Sequence, residues 1–344
     1  MKTLSGIAVQ KERGRVQITQ YQSENMEIPL VKQVLATYHD EQACVLTNTN
    51  EEAARIAGLL IHRGVNARLI QSAEGFRFIN LAEVRYFLKC IDKGLVSPVI
   101  DEERWKEAKE KTLRQYQTSA CLDYMKAFFE AFERTNRTKY RSDLADFVFE
   151  SNLEDFCGDG QHTVLVSTIH KSKGREFDTV YMLLNGEQAN TEEKIRKLYV
   201  GMTRAKQNLY IHCNTDLFST MKTDFVDYQY DSNPYMMPNE ITLQLTHRDV
   251  YLDFFKGKKM QILQLRSGMP LYYDNGHLRI SSGETMACLS MQMRQELADW
   301  ATKGYLVKSA KILFIVAWKG KDETEDAAVL LPELVLQKQD ENPA

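Results

Sequence analysis

A polar, basic segment follows a short apolar run near the middle of the chain. Residues 164–166 read VLV, and residues 168–177 read TIHKSKGREF. Hydroxyl, imidazole and ammonium groups in one loop can contact phosphate oxygens without reading base sequence. The residues of this segment with such groups are Thr168, His170, Lys171 and Lys173. Taken alone, the segment is at least as typical of a solvated basic turn.

Three further residues suggest nucleotide chemistry. Gly174 permits a tight turn or a close approach of backbone to a ligand. Glu176 can accept a hydrogen bond from a ribose hydroxyl. Arg204 stands between a predicted helix and a predicted strand, where a guanidinium can stabilise the charge on a transferring phosphoryl group. An arginine in that position can equally pair with a carboxylate, and the residues alone leave both interpretations open.

The elements around these residues predict a parallel α/β sheet. Apolar runs at 164–166, 179–184 and 208–213 have the length of buried strands, and a helix is predicted over 192–202. Upstream, strands at 16–21, 43–46 and 67–70 alternate with helices at 26–38, 51–63 and 81–91. Asn50 is the predicted N-cap of the second of these helices, and Gly64 its stop. In such sheets ligands collect at the carboxyl ends of the strands, and the basic segment and the Thr203-Arg204 turn both lie near strand ends, so we expect the chemistry there.

The remaining stretches differ in character. Residues 102–117, 120–134 and 142–152 have helical patterns rich in charge and aromatics. Beyond residue 240, strands are predicted at 241–245, 260–265, 278–280 and 312–318, with helices at 247–255 and 291–303 and a hairpin turn at Asp274-Asn275-Gly276-His277. The predicted division is a sheet domain (1–91 with 161–214), a helical insertion (92–160), a linker (215–239), a small β-barrel-like C-terminal domain (240–338) and a tail (339–344).

Composition restricts the class of protein. The 344 residues carry a net charge of −3, so a nucleic-acid surface would have to be a local patch. The six cysteines include no CxxC pair, and the histidines show no ligand spacing, so we expect reduced thiols and no metal site. No apolar run has the length of a membrane span and the N-terminus lacks the pattern of a signal peptide, which favours the cytoplasm.

The sequence contains no GxxxxGK[ST] phosphate loop. Asp101-Glu102-Glu103 looks like the acidic motif that follows a strand in nucleotide hydrolases. Without a phosphate loop upstream, we interpret these residues as the acidic start of a helix.

Two segments together are far more specific than either alone. VSTIHKSKGREFDTVYM (residues 166–182) and KLYVGMTRAKQNLYIHC (residues 197–213) resemble motifs V and VI of the UvrD/Rep/PcrA helicases of superfamily 1. Residues 43–70 resemble the motif IV region of that family, and 76–91 its neighbouring helix. The resemblance covers residues 16–91 and 162–214. It implies a RecA-like parallel sheet of the P-loop NTPase type, without the phosphate loop, with residues 92–160 where the family inserts a helical subdomain.

The resemblance also implies roles for single residues. Arg204 would reach the γ-phosphate of ATP as an arginine finger. Gly174 and Glu176 would contact the ribose and phosphate side of the nucleotide. Single-stranded DNA would lie on Thr168 and His170, with Lys171 and Lys173 as further contacts. ATP and Mg²⁺ would be held mainly by a first RecA-like domain, which is the implied partner together with the DNA.

Two departures from the family pattern leave alternatives open. The family has an arginine just after the motif IV strand, whereas Asn48 stands where we place it, with Arg55 as the nearest replacement. The phosphate loop and the acidic magnesium motif are also missing from the sequence. One hypothesis is that the chain is the second motor domain of an ATP-dependent DNA helicase and is inactive alone. The other is a non-catalytic nucleic-acid-binding or protein-interaction module.

The C-terminal domain carries a modest basic cluster interleaved with aromatics. We define the 248–266 cluster as Arg248, Lys256, Lys258, Lys259 and Arg266 with Tyr251, Phe254 and Phe255. Such a set can bind single strands through phosphates and stacking. The more common arrangement is that the aromatics are core and the lysines a solvated face, and we expect that one. A protein or nucleic-acid partner for this domain is the alternative.

Overall fold

The computed structural model describes residues 14–39, 41–70, 77–94, 97–156, 163–220, 223–319 and 325–339. It divides into two compact units. The first unit comprises Met1–Leu69 and Asp159–Pro238, and the second comprises Ile70–Gly158 and Asn239–Ala344. Most of the predicted helical insertion and the predicted β-rich domain therefore fall in one unit. The predicted tail, apart from residue 339, lies outside the described residues.

The strands of the described residues are, in chain order, β1 (Arg15–Tyr21), β2 (Ala43–Thr47), β3 (Ala67–Leu69), β4 (Val99–Ile100), β5 (Lys139–Tyr140), β6 (Val164–Thr168), β7 (Phe177–Leu184), β8 (Ala205–Cys213), β9 (Val226–Asp231), β10 (Glu240–Gln244), β11 (Pro270–Asp274), β12 (His277–Arg279), β13 (Thr285–Cys288), β14 (Tyr305–Trp318) and β15 (Ala327–Lys338).

The α-helices of the same residues are α1 (Glu27–Thr37), α2 (Asn50–His62), α3 (Ala82–Asp92), α4 (Glu102–Gln115), α5 (Leu122–Thr135), α6 (Arg141–Glu150), α7 (Glu192–Met202), α8 (Lys259–Ile262) and α9 (Met291–Thr302). None of them is long and apolar enough to cross a membrane.

The first unit is built on a seven-stranded sheet in the order β3-β6-β2-β7-β8-β1-β9. Every pairing in it is parallel. Strands β2 and β6 are buried along their whole length, which is why each reads as a short continuous apolar run. The predicted α/β class, with a parallel sheet of the RecA-like kind, is confirmed.

Parallel pairing puts all strand starts on one side of the sheet and all strand ends on the other. At the amino end, Phe177 of β7 lies beside Ala205 of β8. At the carboxyl end, Thr47 of β2 lies beside Thr168 of β6. The two ends are about 13 Å apart along the five residues of β6.

Helix α2 begins one residue earlier than predicted. Its N-cap is Thr49, whose hydroxyl accepts from the Glu52 amide while the Glu52 carboxylate accepts from the Thr49 amide. Asn50, the predicted N-cap, is the first helical residue. A capping box satisfies two amides reciprocally, which a lone Asn cap would not. Gly64 follows the helix at φ +79°, as the predicted stop requires.

Strand β9 lies within the stretch that the sequence predicts as a linker. It pairs with β1 and forms the border of the sheet. Its sequence, VDYQYD, has four exposed residues between two half-buried ones. Val226, Tyr228 and Tyr230 nevertheless alternate with polar residues, and this alternation is the signal that could have found the strand.

The helices of the second unit enclose an aromatic core. Trp105 of α4 stacks on Phe132 of α5 with ring centroids 5.2 Å apart, and Phe87 of α3 meets Trp105 edge to face at the same distance. The indole N–H of Trp105 donates to Glu133 at 2.8 Å, so the buried ring keeps its polar atom paired. Asp101 caps α4 by accepting from the Arg104 amide at 2.7 Å, which agrees with its interpretation as a helix start.

The same unit contains a six-stranded antiparallel sheet in the order β10-β15-β14-β11-β12-β13. The predicted hairpin joins β11 to β12, with Asn275 and Gly276 both at positive φ. Two expectations were wrong: residues 260–265 are not a strand but overlap α8, and residues 247–255 contain a short 3-10 helix and no α-helix. Strands β11, β13 and β15 were not among those predicted. Short apolar runs do not distinguish helix from strand, and this accounts for the first error.

A buried histidine makes the stability of the first unit depend on pH. His212 is fully buried in β8, and its Nδ1 lies 2.8 Å from the Tyr21 hydroxyl. Burial lowers the pKa of His212 from 6.5 to about 3. The unfolded chain takes up a proton below pH 6.5 and the folded chain does not, so stability is lost as pH falls from 6.5 toward 3.

We therefore expect wild type to lose about 1.4 kcal/mol more unfolding free energy than His212→Gln between pH 7.5 and pH 5.5. Urea unfolding of both proteins at the two pH values measures this difference, and the other titrating groups cancel in the comparison. Equal losses in the two proteins would contradict a neutral, buried His212.

Candidate nucleotide and nucleic-acid site

Arg204 lies at the amino end of the sheet, between α7 and β8. Its amide donates to the Gly201 carbonyl at 3.1 Å, which closes the helix and starts the strand. The guanidinium donates from Nε to the Val200 carbonyl at 2.9 Å, from Nη1 to the Arg175 carbonyl at 3.0 Å and from Nη2 to the Thr203 hydroxyl at 3.2 Å. Neutral oxygens at the end of α7 and in the segment before β7 thus fix the plane of this side chain.

These contacts leave some of the hydrogen-bond donors of Arg204 unused. A guanidinium has five N–H donors and these contacts use three, so one on each Nη remains. Within the part of the chain that the structure describes, no carboxylate lies within 4.0 Å of Arg204, and the side chain is half-buried. The carboxylate pairing that the sequence left open is therefore not seen there. The charge of Arg204 is held in place without being neutralised.

Gly174 and Glu176 lie at the same end of the sheet, just before β7. Gly174 has φ +83°, a left-handed conformation that disfavours any side chain. The Glu176 side chain is exposed. Both line a cavity of about 210 Å³. Its other lining residues come from the starts of three neighbouring strands and the turn before β7: Gln42, Ala43, Thr163, Leu165, Arg175 and Phe177.

Arg175 links this cavity to Arg204. Its carbonyl accepts from the Arg204 guanidinium, and the next residue but one, Phe177, donates its amide to the Arg204 carbonyl at 2.8 Å. The structure thus brings together Arg204, Gly174 and Glu176. Gln42 and Thr163 were not predicted, although a polar residue directly before a strand of a parallel sheet is the signal that could have found them.

The four predicted DNA contacts lie elsewhere. Thr168 is buried at the carboxyl end of β6, and a single 3-10 turn, His170–Ser172, follows. His170 and Lys173 are exposed. Lys171 is half-buried, with its ammonium 2.6 Å from the Asn50 side-chain oxygen. The exposed polar groups of this segment are therefore those of His170 and Lys173.

Residues 168–177 thus run from one end of the sheet to the other. Thr168 follows the general preference for sites at the carboxyl ends of parallel strands, whereas Arg204, Gly174 and Glu176 stand at the amino end. The expected position at the carboxyl ends of the strands is therefore right for Thr168 and wrong for the other three, which come just before a strand. The structure divides them into two surfaces on opposite sides of the sheet.

The position assigned to the missing arginine lies on the carboxyl side. Asn48 directly follows β2, and its amide donates to the Glu52 carboxylate at 3.1 Å. It therefore lies at the opposite end of the sheet from Arg204. Arg55, the nearest alternative, forms an ion pair of 3.0 Å with the mostly buried Glu27. Neither residue stands where it would add a second cation beside Arg204.

The 248–266 cluster does not form one basic surface. Phe255 is fully buried and belongs to the core of the second unit. The Lys258 ammonium donates to the Thr285 carbonyl and lies over the Phe254 ring, 4.2 Å from its centroid. Lys256 pairs with Asp253 at 2.7 Å. No group of three or more His, Cys, Asp or Glu side chains in the described ranges could hold a metal ion.

The parallel sheet and the loops at its two ends define an α/β domain of the RecA-like class. Residues 99–216 match the family model of the UvrD-like helicase C-terminal domain. Together with the relatives below, this match over about a third of the chain supports a UvrD-like helicase C-terminal domain.

The relatives are ATP-dependent DNA helicases. PcrA of Bacillus subtilis is 28% identical over 170 residues, covering 43% of this chain and 23% of PcrA. Rep of Buchnera aphidicola is 30% identical over 119 residues, covering 30% of this chain and 16% of Rep. Mitochondrial HMI1 of Saccharomyces cerevisiae is 43% identical over 67 residues, covering 20% of this chain and 9% of HMI1. The matches thus span less than a quarter of each of these relatives.

One solved structure is also similar. The crystal structure of the C-terminal domain of a possible DNA helicase from Lactobacillus plantarum aligns with 62% of this chain and 84% of its own, at 13% identity and a TM-score of 0.32. A likeness of that size is too low to carry an argument, and the fold assignment rests on the sheet order.

The left-handed backbone of Gly174 predicts how much different substitutions at this position lower the stability of the protein. No atom lies within 4 Å of a Cβ placed there, so a side chain would be disfavoured by its φ angle alone. We expect Gly174→Ala to lower the unfolding free energy by about 1 kcal/mol, Gly174→Asn by less and Gly174→Val by more, because Asn tolerates the left-handed region best. Urea unfolding measures the series. Equal stability of all four proteins would contradict the assigned conformation.

Proposed function

We propose that this chain supplies the second motor domain of an ATP-dependent DNA helicase. In this proposal ATP binds at the amino end of the parallel sheet and single-stranded DNA at the carboxyl end. The observation that carries the proposal is the Arg204 guanidinium, which three neutral oxygens orient and which keeps two N–H groups without a partner among the described residues. One of the three oxygens belongs to Arg175, which lines a small polar cavity. The helicase names of the relatives support the same assignment.

Arg204 acts as the arginine finger. Fixed backbone carbonyls hold it in position before any ligand arrives, so little reorganisation accompanies the reaction. Its two remaining N–H groups, one on each Nη, form a fork that suits two phosphate oxygens. Its charge stabilises the negative charge that develops on the transferring γ-phosphoryl group.

Gly174 and Glu176 bind the ribose and phosphate side of the nucleotide. The cavity they line, about 210 Å³, is smaller than typical pockets for whole ligands, so it suits one part of ATP. The rest of ATP, and the Mg²⁺ that neutralises its phosphates, belong to a first RecA-like domain with a phosphate loop. No such loop occurs in these 344 residues, so the proposal makes the chain inactive by itself.

The DNA surface is the segment after β6. His170 and Lys173 are exposed and offer an imidazole and an ammonium to backbone phosphates. Thr168 and Lys171 are less accessible, since Thr168 is buried and Lys171 contacts Asn50. We assign the main contacts to His170 and Lys173, with Thr168 and Lys171 shaping the turn and contacting the strand.

Arg204→Ala tests the nucleotide half of the proposal. In the polypeptide that joins this chain to a phosphate-loop domain, we expect it to lower DNA-stimulated ATP turnover by about 10³- to 10⁵-fold, the range for loss of an arginine finger. Arg204→Lys should be almost as inactive, because an ammonium lacks the planar fork. Steady-state ATPase assays with single-stranded DNA measure both.

The control is Arg196→Ala on α7, an exposed arginine whose ion-pair partner among the described residues is Glu192. It should keep wild-type turnover, and Arg204→Ala should keep wild-type DNA affinity. Turnover that survives Arg204→Ala would remove the finger assignment, and robust DNA-stimulated ATPase from the 344-residue chain would contradict its inactivity alone.

Replacing His170 and Lys173 tests the DNA half. We expect His170→Ala/Lys173→Ala to weaken binding of a fluorescent oligo-dT about five- to twentyfold. The slope of log affinity against log salt should fall by about 0.7 for each phosphate that the variant no longer neutralises. Fluorescence anisotropy across a salt series gives both quantities. Lys206→Ala, an exposed lysine at the amino end of the sheet, is the matched control and should bind as wild type does.

The second candidate function is a non-catalytic nucleic-acid-binding or interaction module. It rests on the absent phosphate loop. The two candidates differ in what Arg204 does: the module predicts wild-type turnover from the joined polypeptide after Arg204→Ala, or no turnover even in wild type. The motor predicts turnover that depends on Arg204.

A further inference from the structure

A second, larger cavity lies wholly within the second unit. Its volume is about 450 Å³, within the range of pockets that hold small organic ligands. It is bounded by α3, the end of α4, the α8 region and the adjoining ends of β14 and β15. Neither the family match nor the proposed motor chemistry assigns it a role.

The floor of this cavity is apolar and made largely of small side chains. Three of them, Ala82, Ala317 and Ala328, form part of it together with Leu263. Tyr86 of α3 forms one side and is half-buried. Small side chains around one ring leave a slot suited to a planar group.

The aromatic side of the cavity is fixed. Tyr86 meets Tyr116 edge to face with centroids 5.6 Å apart, and the Arg266 guanidinium lies 4.5 Å from the Tyr116 centroid. Arg266 in turn donates to the Gln115 carbonyl at 2.9 Å. Ring orientation is therefore set before a ligand binds, which lowers the entropy cost of stacking on Tyr86.

The rim is basic. Lys89 and Lys259 are exposed there, and among the described residues neither has a carboxylate within 4.0 Å. Arg85 pairs with Asp326 at 3.0 Å across the same rim. Three cations and one carboxylate give the described rim a positive charge, so an anionic ligand is favoured.

We propose that this cavity binds one nucleotide of a single-stranded nucleic acid, with the base on Tyr86 and the flanking phosphates on Lys89 and Lys259. Stacking on an aromatic ring and cations beside it are the combination that holds single strands. The side-chain amides of Gln115 and Gln264 on the rim add donors and acceptors that match base edges. An acidic peptide would use the lysines but would need neither the amides nor the slot.

This site is independent of the one at Arg204. It uses only residues of the second unit, so it can be tested independently of the DNA surface at His170 and Lys173. Of the 248–266 cluster, it uses Lys259 on the rim and Arg266 as support for the wall. In this proposal Lys259 binds the single strand and Arg266 supports the aromatic wall, although the cluster as a whole does not form a binding surface.

The test is photo-crosslinking of the full chain to an oligo-dT that carries 4-thiothymidine, with peptide mapping, alongside fluorescence anisotropy. We expect crosslinks at Tyr86 or its neighbours on α3. Lys89→Gln/Lys259→Gln should weaken binding about tenfold, lower the salt slope by about 1.4 and abolish those crosslinks. Crosslinks at residues 168–173 should persist in this variant.

Stacking is tested by Tyr86→Leu against Tyr86→Phe. The first should weaken binding about tenfold and the second should leave it unchanged, because only the ring is needed. Lys106→Gln, which removes one exposed lysine charge on α4 outside the cavity, is the control for the lysine substitutions and should bind as wild type. Circular dichroism melting of each variant checks that the fold is intact. If Tyr86→Leu does not fold, the lysine pair and the crosslink map still decide the proposal.

Three outcomes would overturn the proposal. Crosslinks confined to residues 168–173 would leave the proposed motor function standing and remove this site. Equal affinity for free thymidine monophosphate would assign the cavity to a free nucleotide. Displacement of the oligonucleotide by a poly-glutamate peptide of equal charge, with Tyr86→Leu unaffected, would reduce the rim to a non-selective anion surface.

Discussion

The all-parallel pairing of the first unit is the constraint on which its sites depend. Parallel strands need connections that return from the carboxyl end of one strand to the amino end of the next. Each such connection carries polar residues to one end of the sheet or the other, and the buried strands between them admit few polar side chains. Polar chemistry is thereby confined to two surfaces. The two motif segments fall on those surfaces because they lie directly beside the strands.

The position of Arg204 shows how the backbone can orient a cation. A carboxylate partner would have held the side chain equally well, but it would have cancelled much of the charge. Carbonyl and hydroxyl oxygens orient the guanidinium through partial charges and leave its formal charge available. Val200 and Thr203 belong to the same motif segment as Arg204, whereas Arg175 belongs to the other one. Both motif segments are therefore needed to orient the Arg204 guanidinium. This physical dependence explains why the two sequence segments are informative as a pair.

Much of this could be predicted from the sequence where burial and local capping agree. Helix α7 has the bounds expected, Glu192–Met202, since Thr191 caps it and Thr203-Arg204 ends it. The fully buried strands β2 and β6 could be predicted because their sequences are mostly apolar. Strand β9 was missed because most of its residues are exposed and lie in a stretch with several Asp residues and two prolines, although Val226, Tyr228 and Tyr230 alternate with polar residues. The end of the sheet that Arg204 occupies could have been inferred, because a residue directly before a parallel strand lies at the amino end. Its contact with the Arg175 carbonyl could not, because that contact depends on the pairing of β7 with β8.

The segment between the two surfaces provides a short path for coupling them. The Ser172 hydroxyl donates to the Ile169 carbonyl at 2.7 Å, and the Arg175 amide donates to the Ser172 carbonyl at 3.1 Å. Ile169 in turn donates its amide to the Thr47 carbonyl at 3.0 Å, which anchors the segment at the carboxyl end. Two hydrogen-bonded turns thus connect Arg175 with His170, and in the proposed function they would link a nucleotide beside Arg204 to the DNA surface. Gly174 is the residue in this path with the widest backbone freedom, so it is the natural point at which the segment would bend.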